Sequence, residues 1–362
     1  MPMERLHIAF FGPANSGKST LVNALCGQEV SLVSPHPGTT TDPVRKTVEL
    51  PGLGACVLID TAGLDDESFL GPERRRRTLA VLDETDIAVI LEPSPFPESQ
   101  SLIPDLIGDL SGIPVIRYTR GESIDSLLER LRAIAPQLEE RYLTGNLVKP
   151  GDCVLLVMPQ DSEAPKGRLI LPQVQVLREL LDRGCNALCC TPDSLASALA
   201  RITPNLVITD SQVFVLVNQA LPPSTPLTSF SVLLAGTKGD LRIFVEGASA
   251  LDSLRNGDRV LIAEACTHVP DTEDIGRVKI PALLRKKADI EVDIAAGNDF
   301  PEDLGAYSLI ILCGGCVATR TLVQNRMKKA LRAGVPITNY GIAIAKLQGI
   351  LERIEIPGRS RE

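Results

Sequence analysis

Short apolar runs alternate along the whole chain with longer charged or amphipathic stretches. Leu6–Phe11, Cys56–Ile59, Ile87–Leu91 and Pro114–Tyr118 each suit a buried strand, and the segments between them are charged or helix-like. This rhythm is expected of parallel strands joined by crossover helices in a doubly wound sheet. The first run leads into Gly12–Thr20 as a loop and then into a helical pattern from Leu21 to Leu25. A first domain over residues 1–143 is expected, its pattern ending near Tyr142. Val154–Met158, Leu177–Leu181, Ala187–Cys190, a helical Ser194–Ala200 and Leu206–Thr209 then alternate strand and helix, a small α/β domain over 144–232. The Pro-rich stretch Leu221–Pro226 reads as a linker or edge. Beyond it Phe230–Leu234, Val260–Ala263, Ile290–Ile294, Leu309–Leu312 and Val335–Thr338 read as strands, with a helix over Thr319–Arg332. They form a third α/β domain over 233–362.

At 362 residues, two or three domains are the natural division. Apolar residues make up 44% and charged residues 23%, as in folded globular chains, but aromatics reach only 3% and Trp is absent, so Leu, Ile and Val must fill the cores. A formal charge of -8 gives no electrostatic reason to expect DNA or RNA as partner. No apolar stretch approaches the roughly 20 residues of a membrane span, and the first residues run into a strand-like segment without a signal-peptide pattern, so a cytoplasmic protein without membrane contact is expected. Nine cysteines scattered through such a chain are no disulfide framework; they are buried thiols or metal ligands.

Gly12-Pro13-Ala14-Asn15-Ser16-Gly17-Lys18-Ser19 satisfies the phosphate-loop pattern GxxxxGK(S/T) between a strand and a helix, with Thr20 next in line. The glycines let backbone N–H groups approach phosphates, Lys18 neutralises their charge, and the Ser19 hydroxyl is placed to ligate magnesium. Gly38-Thr39-Thr40-Thr41-Asp42 and, after a strand, Asp60-Thr61-Ala62-Gly63 follow in the order of a GTPase switch. Thr40 would complete the magnesium shell, Asp60 would hold a metal-bound water, and the Gly63 N–H would sense the γ-phosphate. Asn15, with Leu64 after the Asp-Thr-Ala-Gly segment, makes this part resemble translation-factor-like GTPases of the branch related to Era and the tRNA-modification GTPases. That resemblance implies potassium bound through Asn15, no water-orienting glutamine, and slow hydrolysis stimulated by potassium. Where a guanine-reading NKxD motif should follow the strand ending near Tyr118, the chain reads Thr119-Arg120-Gly121-Glu122. Glu122 would accept from guanine N1 and N2, whereas Thr119 is a poor substitute for asparagine.

Cys313-Gly314-Gly315-Cys316 lies between an apolar run and a helix, at the strand edge where open α/β sheets bind ligands. Backbone N–H groups and the helix dipole favour thiolates there. Cys266-Thr267-His268 adds a third thiol and an imidazole. Chemistry alone leaves open a structural Cys₃His zinc, a four-iron cluster held by three thiolates, a thioredoxin-type dithiol, and inert buried thiols. The remaining cysteines, Cys26, Cys56, Cys153, Cys185, Cys189 and Cys190, sit in or beside apolar segments and read as core residues.

Ala164–Gln173, Thr209–Phe214, Leu227–Ser231, Ala263–His268, Asp274–Pro281 and Val335–Gly341 resemble the HydF family of FeFe-hydrogenase maturation GTPases over essentially the whole chain. The resemblance implies a P-loop GTPase domain, a dimerisation domain and a domain holding a 4Fe-4S cluster through Cys266, Cys313 and Cys316. It also implies GTP, Mg2+ and K+ as cofactors, a homodimer, and a scaffold that receives a diiron precursor from radical-SAM maturases and delivers it to apo FeFe hydrogenase. The family's histidine before the CxxC is replaced here by Leu312, which leaves His268, Glu273, water or the cargo itself as the fourth iron ligand. The rival expectation from the first third alone is a tRNA-modification-type GTPase with a structural zinc.

Overall fold

The computed structural model describes residues 5–27, 43–63, 77–92, 113–135, 142–160, 167–265, 274–297, 299–315 and 318–358. They fall into two compact units. One holds the chain up to residue 139 with Thr319–Leu322, the other residues 140–318 and 323–362.

The first unit contains β1 (Leu6–Phe11), α1 (Lys18–Cys26), β2 (Val44–Leu50), β3 (Gly54–Asp60), β4 (Ile87–Glu92), β5 (Val115–Thr119) and α2 (Ile124–Ile134). Its sheet runs β2-β3-β1-β4-β5, parallel except for β2, which pairs antiparallel with β3. Central β1 is apolar without alternation because both faces are covered. Ile8 and Phe10 enter one core, Ala9 and Phe11 the other, and all four are fully buried. The polar β2, an edge strand, carries no apolar run and was not expected from the pattern. Helix α2 starts where the Ser123 hydroxyl accepts the Ser126 N–H at 3.2 Å.

The second unit contains two sheets. β6 (Cys153–Val157), α3 (Leu171–Asp182), β7 (Asn186–Cys190), α4 (Leu195–Leu199), β8 (Leu206–Thr209), α5 (Phe214–Ala220), β9 (Leu227–Ser229) and α6 (Phe230–Lys238) build the first, in the order β7-β6-β8-β9. After α7 (Leu241–Ala248) and α8 (Ala250–Ser253), the second is built by β10 (Arg259–Glu264), α9 (Ile280–Arg285), β11 (Glu291–Ala296), β12 (Leu309–Leu312), α10 (Arg320–Arg332), β13 (Ile337–Asn339) and α11 (Tyr340–Leu347), in the order β11-β10-β12-β13. All pairings in both are parallel. The strand order is the same in both sheets: the first strand in sequence lies second in space, so winding reverses between the first and third strands. Residues from both sheets, among them Leu155, Val207, Ile262 and Ile310, share one core.

Two local features depart from the sequence pattern. Phe230–Leu234, expected as a strand, is the first part of α6. Ser229 caps it by accepting the Val232 N–H at 3.3 Å, and burial of Phe230, Val232, Leu233, Leu234 and Ala235 on all sides erases the helical period. Cys189, expected in the core, is exposed because β7 is an edge strand. Cys56 and Cys185 are buried as expected, and burial pushes the Cys56 thiol up to about 11.

Candidate functional site

The phosphate loop closes the carboxyl end of β1. Gly12 has φ 152°, and a Cβ there would come 2.7 Å from the Leu91 carbonyl oxygen, so only glycine lets the loop pass the neighbouring strand. Asn15, at φ 59°, is the only non-glycine residue with positive φ among the described residues. Gly17, at φ 97°, turns the chain into α1. Ser16 is buried, and its hydroxyl oxygen has no hydrogen-bond partner among the described residues. Lys18 is 6% exposed and folds its ammonium back over the loop, donating to the Gly12 and Pro13 carbonyls at 3.0 and 2.7 Å. Asn15 and Thr20 are exposed.

The second switch segment meets this loop from β3. Ser19 Oγ donates to Asp60 Oδ2 at 2.6 Å, so the two groups expected around magnesium are already together. Thr61 Oγ1 donates to the Phe10 carbonyl at 2.6 Å, pinning the end of β3 to β1. A Cβ on Gly63 would lie 2.7 Å from the Ala14 nitrogen, which shows how closely the switch backbone abuts the phosphate loop. Thr40 and Leu64 lie outside the described residues.

At the base-reading end, Thr119 closes β5 and is exposed. Glu122 Oε1 accepts from Ser126 Oγ at 2.8 Å and Arg130 Nη1 at 2.7 Å. Burial raises the Glu122 carboxyl, but these bonds outweigh it and hold the group below the usual glutamate range.

The cysteine edge lies in the second unit. Cys313 follows β12, and its Sγ accepts the Ala265 N–H at 3.1 Å. Ala265 follows β10, so the edges of the two strands flanking the winding reversal are joined through this sulfur. Gly315 is left-handed at φ 65°, and among the described residues nothing lies within 4 Å of where a Cβ on Gly314 would project. Of the expected ligands only Cys313 is described; Cys266, His268, Glu273 and Cys316 lie outside the described residues. Glu264, 2% exposed, closes β10 and pairs with Arg277 Nη2 at 2.8 Å. Arg277 lies in a π-type turn, Ile275–Lys279, capped by Asp274 Oδ1, which accepts the Arg277 N–H at 2.8 Å. A Cβ on Gly276 would come 1.9 Å from the Tyr340 hydroxyl and 3.0 Å from Glu264 Oε1. Sequence reasoning singled out none of Glu264, Arg277 or Tyr340 for a role. Glu264 was visible in principle as a lone acid closing an otherwise apolar strand.

A phosphate loop at the end of a central parallel strand, with an Asp-Thr-Ala-Gly turn set against it, defines a P-loop GTPase domain. Residues 7–116 match the family described as 50S ribosome-binding GTPase. Residues 143–239 match the hydrogen maturase F dimerization domain and residues 242–356 the hydrogen maturase F tetramerization domain. The chain belongs to the hydrogen maturase F, or HydF, family. Among curated proteins it is similar to the tRNA modification GTPase MnmE of Methylobacterium sp. (strain 4-46), at 36% identity over 152 residues, covering 36% of this chain and 34% of that protein. The MnmE of Acidiphilium cryptum (strain JF-5) is 32% identical over 226 residues, covering 58% of this chain and 49% of that protein. The chain thus spans between a third and a half of the length of these relatives. Among solved structures, Era from Aquifex aeolicus bound to GDP.AlF4- aligns at 17% identity and a TM-score of 0.28, covering 83% of this chain and 97% of that one. No helix among the described residues is long and apolar enough to cross a membrane.

Proposed function

We propose that the chain is a GTP-hydrolysing scaffold of FeFe-hydrogenase maturation, which carries a 4Fe-4S cluster and a diiron precursor for delivery to apo-hydrogenase. The observation that carries this reading is the Cys313 sulfur accepting the Ala265 N–H, which draws the segment before Cys266 and the CxxC segment to one sheet edge. An N–H aimed at sulfur favours the thiolate over the thiol, and the lack of any described atom within 4 Å of a side chain at Gly314 suits a bulky inorganic group. The donor set fits a cluster held by Cys266, Cys313 and Cys316, with His268 or Glu273 as a fourth ligand. When bound, the cluster would supply an iron at which cargo docks. Chains of this reading assemble as homodimers or larger oligomers and meet radical-SAM maturases and the apo-hydrogenase in the cytoplasm.

In the GTPase domain Lys18 and the loop N–H groups bind the phosphates. Ser19, Thr40 and Asp60 serve magnesium, and Asn15 serves potassium. Hydrolysis is slow and faster in potassium than in sodium. Thr119 and Glu122 read the base, with guanine preference weakened because Glu122 Oε1 is already bonded to Ser126 and Arg130. GTP turnover, through the segments around Thr40 and Gly63, sets when partners bind and leave.

The test is anaerobic reconstitution with iron and sulfide, followed by EPR of the reduced protein, comparing wild type with Cys313→Ala. A cluster signal in wild type that the variant loses is expected. Zinc bound in place of iron in the wild type would sink the iron-sulfur reading in favour of a GTPase with a structural metal.

A further inference from the structure

Two buried cations stand at the cysteine edge, each reaching from a helix to the main chain of a different cysteine-bearing segment. Lys238, the last residue of α6, is 7% exposed. Its ammonium donates to the carbonyls of Gly315 and Ala318, both at 2.6 Å. These carbonyls bracket Cys316 in sequence, and the Ala318 N–H itself returns to the Gly315 carbonyl at 3.1 Å. The lysine stem also lies against the loop, its Cδ 3.9 Å from where a Gly315 Cβ would be. Arg326 of α10 is 3% exposed. Its Nη1 donates to the Glu264 carbonyl at 3.1 Å and its Nη2 to the Gly297 carbonyl at 2.5 Å, with the guanidinium 5.0 Å from the Phe300 ring centre. Glu264 is two residues before Cys266.

Placing an ammonium and a guanidinium in the interior is costly, and apolar residues of similar volume would fill the same space without that cost. Each therefore calls for a task beyond packing. The helices come from different places: α6 follows the first four-stranded sheet, while α10 belongs to the second. We infer that Lys238 and Arg326 are paired positioning residues of the metal site, Lys238 through the Gly315 and Ala318 carbonyls on either side of Cys316 in sequence and Arg326 through the Glu264 carbonyl two residues before Cys266. The inference rests on the iron-sulfur reading. Groups one shell out from a metal commonly change its retention by 10–100-fold, and a positive charge near a thiolate-ligated cluster favours its reduced, more negative form. Removing either cation therefore loosens the cluster and makes it harder to reduce.

The experiment reconstitutes the full chain anaerobically as wild type, Lys238→Met, Lys238→Gln and Arg326→Lys. It reads iron retained after a chelator challenge, the midpoint potential by EPR-monitored titration, and the melting temperature of the apo-protein. Lys238→Met is expected to lose iron about tenfold more readily, with a more negative midpoint. Lys238→Gln keeps amide donors and recovers retention while its midpoint stays negative. Arg326→Lys, charged but too short to span both carbonyls, loses retention with a smaller change in midpoint. Should Lys238→Met fail to fold, Lys238→Gln carries the comparison through its midpoint. Variants that melt like wild type and match it in retention and midpoint would overturn the inference. A wild type that takes up no iron would refute the iron-sulfur reading itself, and does so before any variant is compared.

Discussion

The phosphate loop and the cysteine edge are both set at the carboxyl ends of parallel strands, yet they are built in opposite ways. The phosphate loop is local: Gly12 to Ser19 supply its backbone and its charge, and among the described residues Asp60 and Gly63 join it from the end of a neighbouring strand. The cysteine edge is assembled from distant parts: Ala265 after β10, Cys313 48 positions later, Lys238 from the preceding sheet's last helix. A local site fails when one of its own residues changes. A site assembled from afar fails when any of its supports moves.

The sharpest way to break the comparison is Lys18→Ala. Loss of a buried charged partner costs about 2–5 kcal/mol of binding, so isothermal titration should show GTP affinity falling by that amount while iron uptake stays unchanged. A simultaneous loss of iron would show that the two sites are not separately built. Next in size is Gly63→Ala, whose methyl would have to displace the Ala14 backbone, 2.7 Å away. Misplacement on that scale costs about 10²-fold in turnover, and single-turnover hydrolysis should fall accordingly with GTP binding retained.

On the other side, Glu264→Ala removes the buried partner of Arg277. Chemical denaturation of the second unit should show a loss of about 2–3 kcal/mol, below the range for fully buried pairs because Arg277 is 26% exposed. Iron retention should drop with it, and GTP affinity should not. The smallest effect expected is a pH effect confined to the first unit. Burial raises the Glu84 carboxyl, but the His7 imidazole 3.5 Å away and hydrogen bonds from Arg45 outweigh it and hold the group below the usual glutamate range. A depressed folded-state pKa adds stability that is complete above the ordinary glutamate value, about 4.3, and is lost as pH falls through the folded value. Glu84→Gln should therefore lower stability near neutrality by no more than about 1 kcal/mol and flatten the acid side of the profile. Equal acid slopes in wild type and variant would count against that assignment.

The difference in construction also explains what the sequence disclosed. The phosphate loop and the Asp60–Gly63 segment were legible because their chemistry is written in consecutive residues flanked by apolar strands. Cys313 was legible as a strand-edge thiol for the same reason. Lys238 was not, since its bonding partners lie 77 and 80 positions away and its helix reads as an apolar run. That run also hid α6: with nearly every side buried, neither a helical nor a strand period survives, and the Ser229 cap was the one local sign. β2 escaped for the contrary reason, because charged residues separate its two core-packing positions, Val48 and Leu50, from any apolar run. The matching strand orders of the two sheets in the second unit carry no sequence signal, being a property of pairing.

The core shared by those two sheets has a kinetic consequence. Where one set of apolar side chains belongs to two sheets, neither can open alone without exposing the other, so amides of β6 and β10 should exchange with solvent deuterium only through unfolding of the whole unit. The Cys313 edge, anchored on β10 and β12, inherits that slow opening.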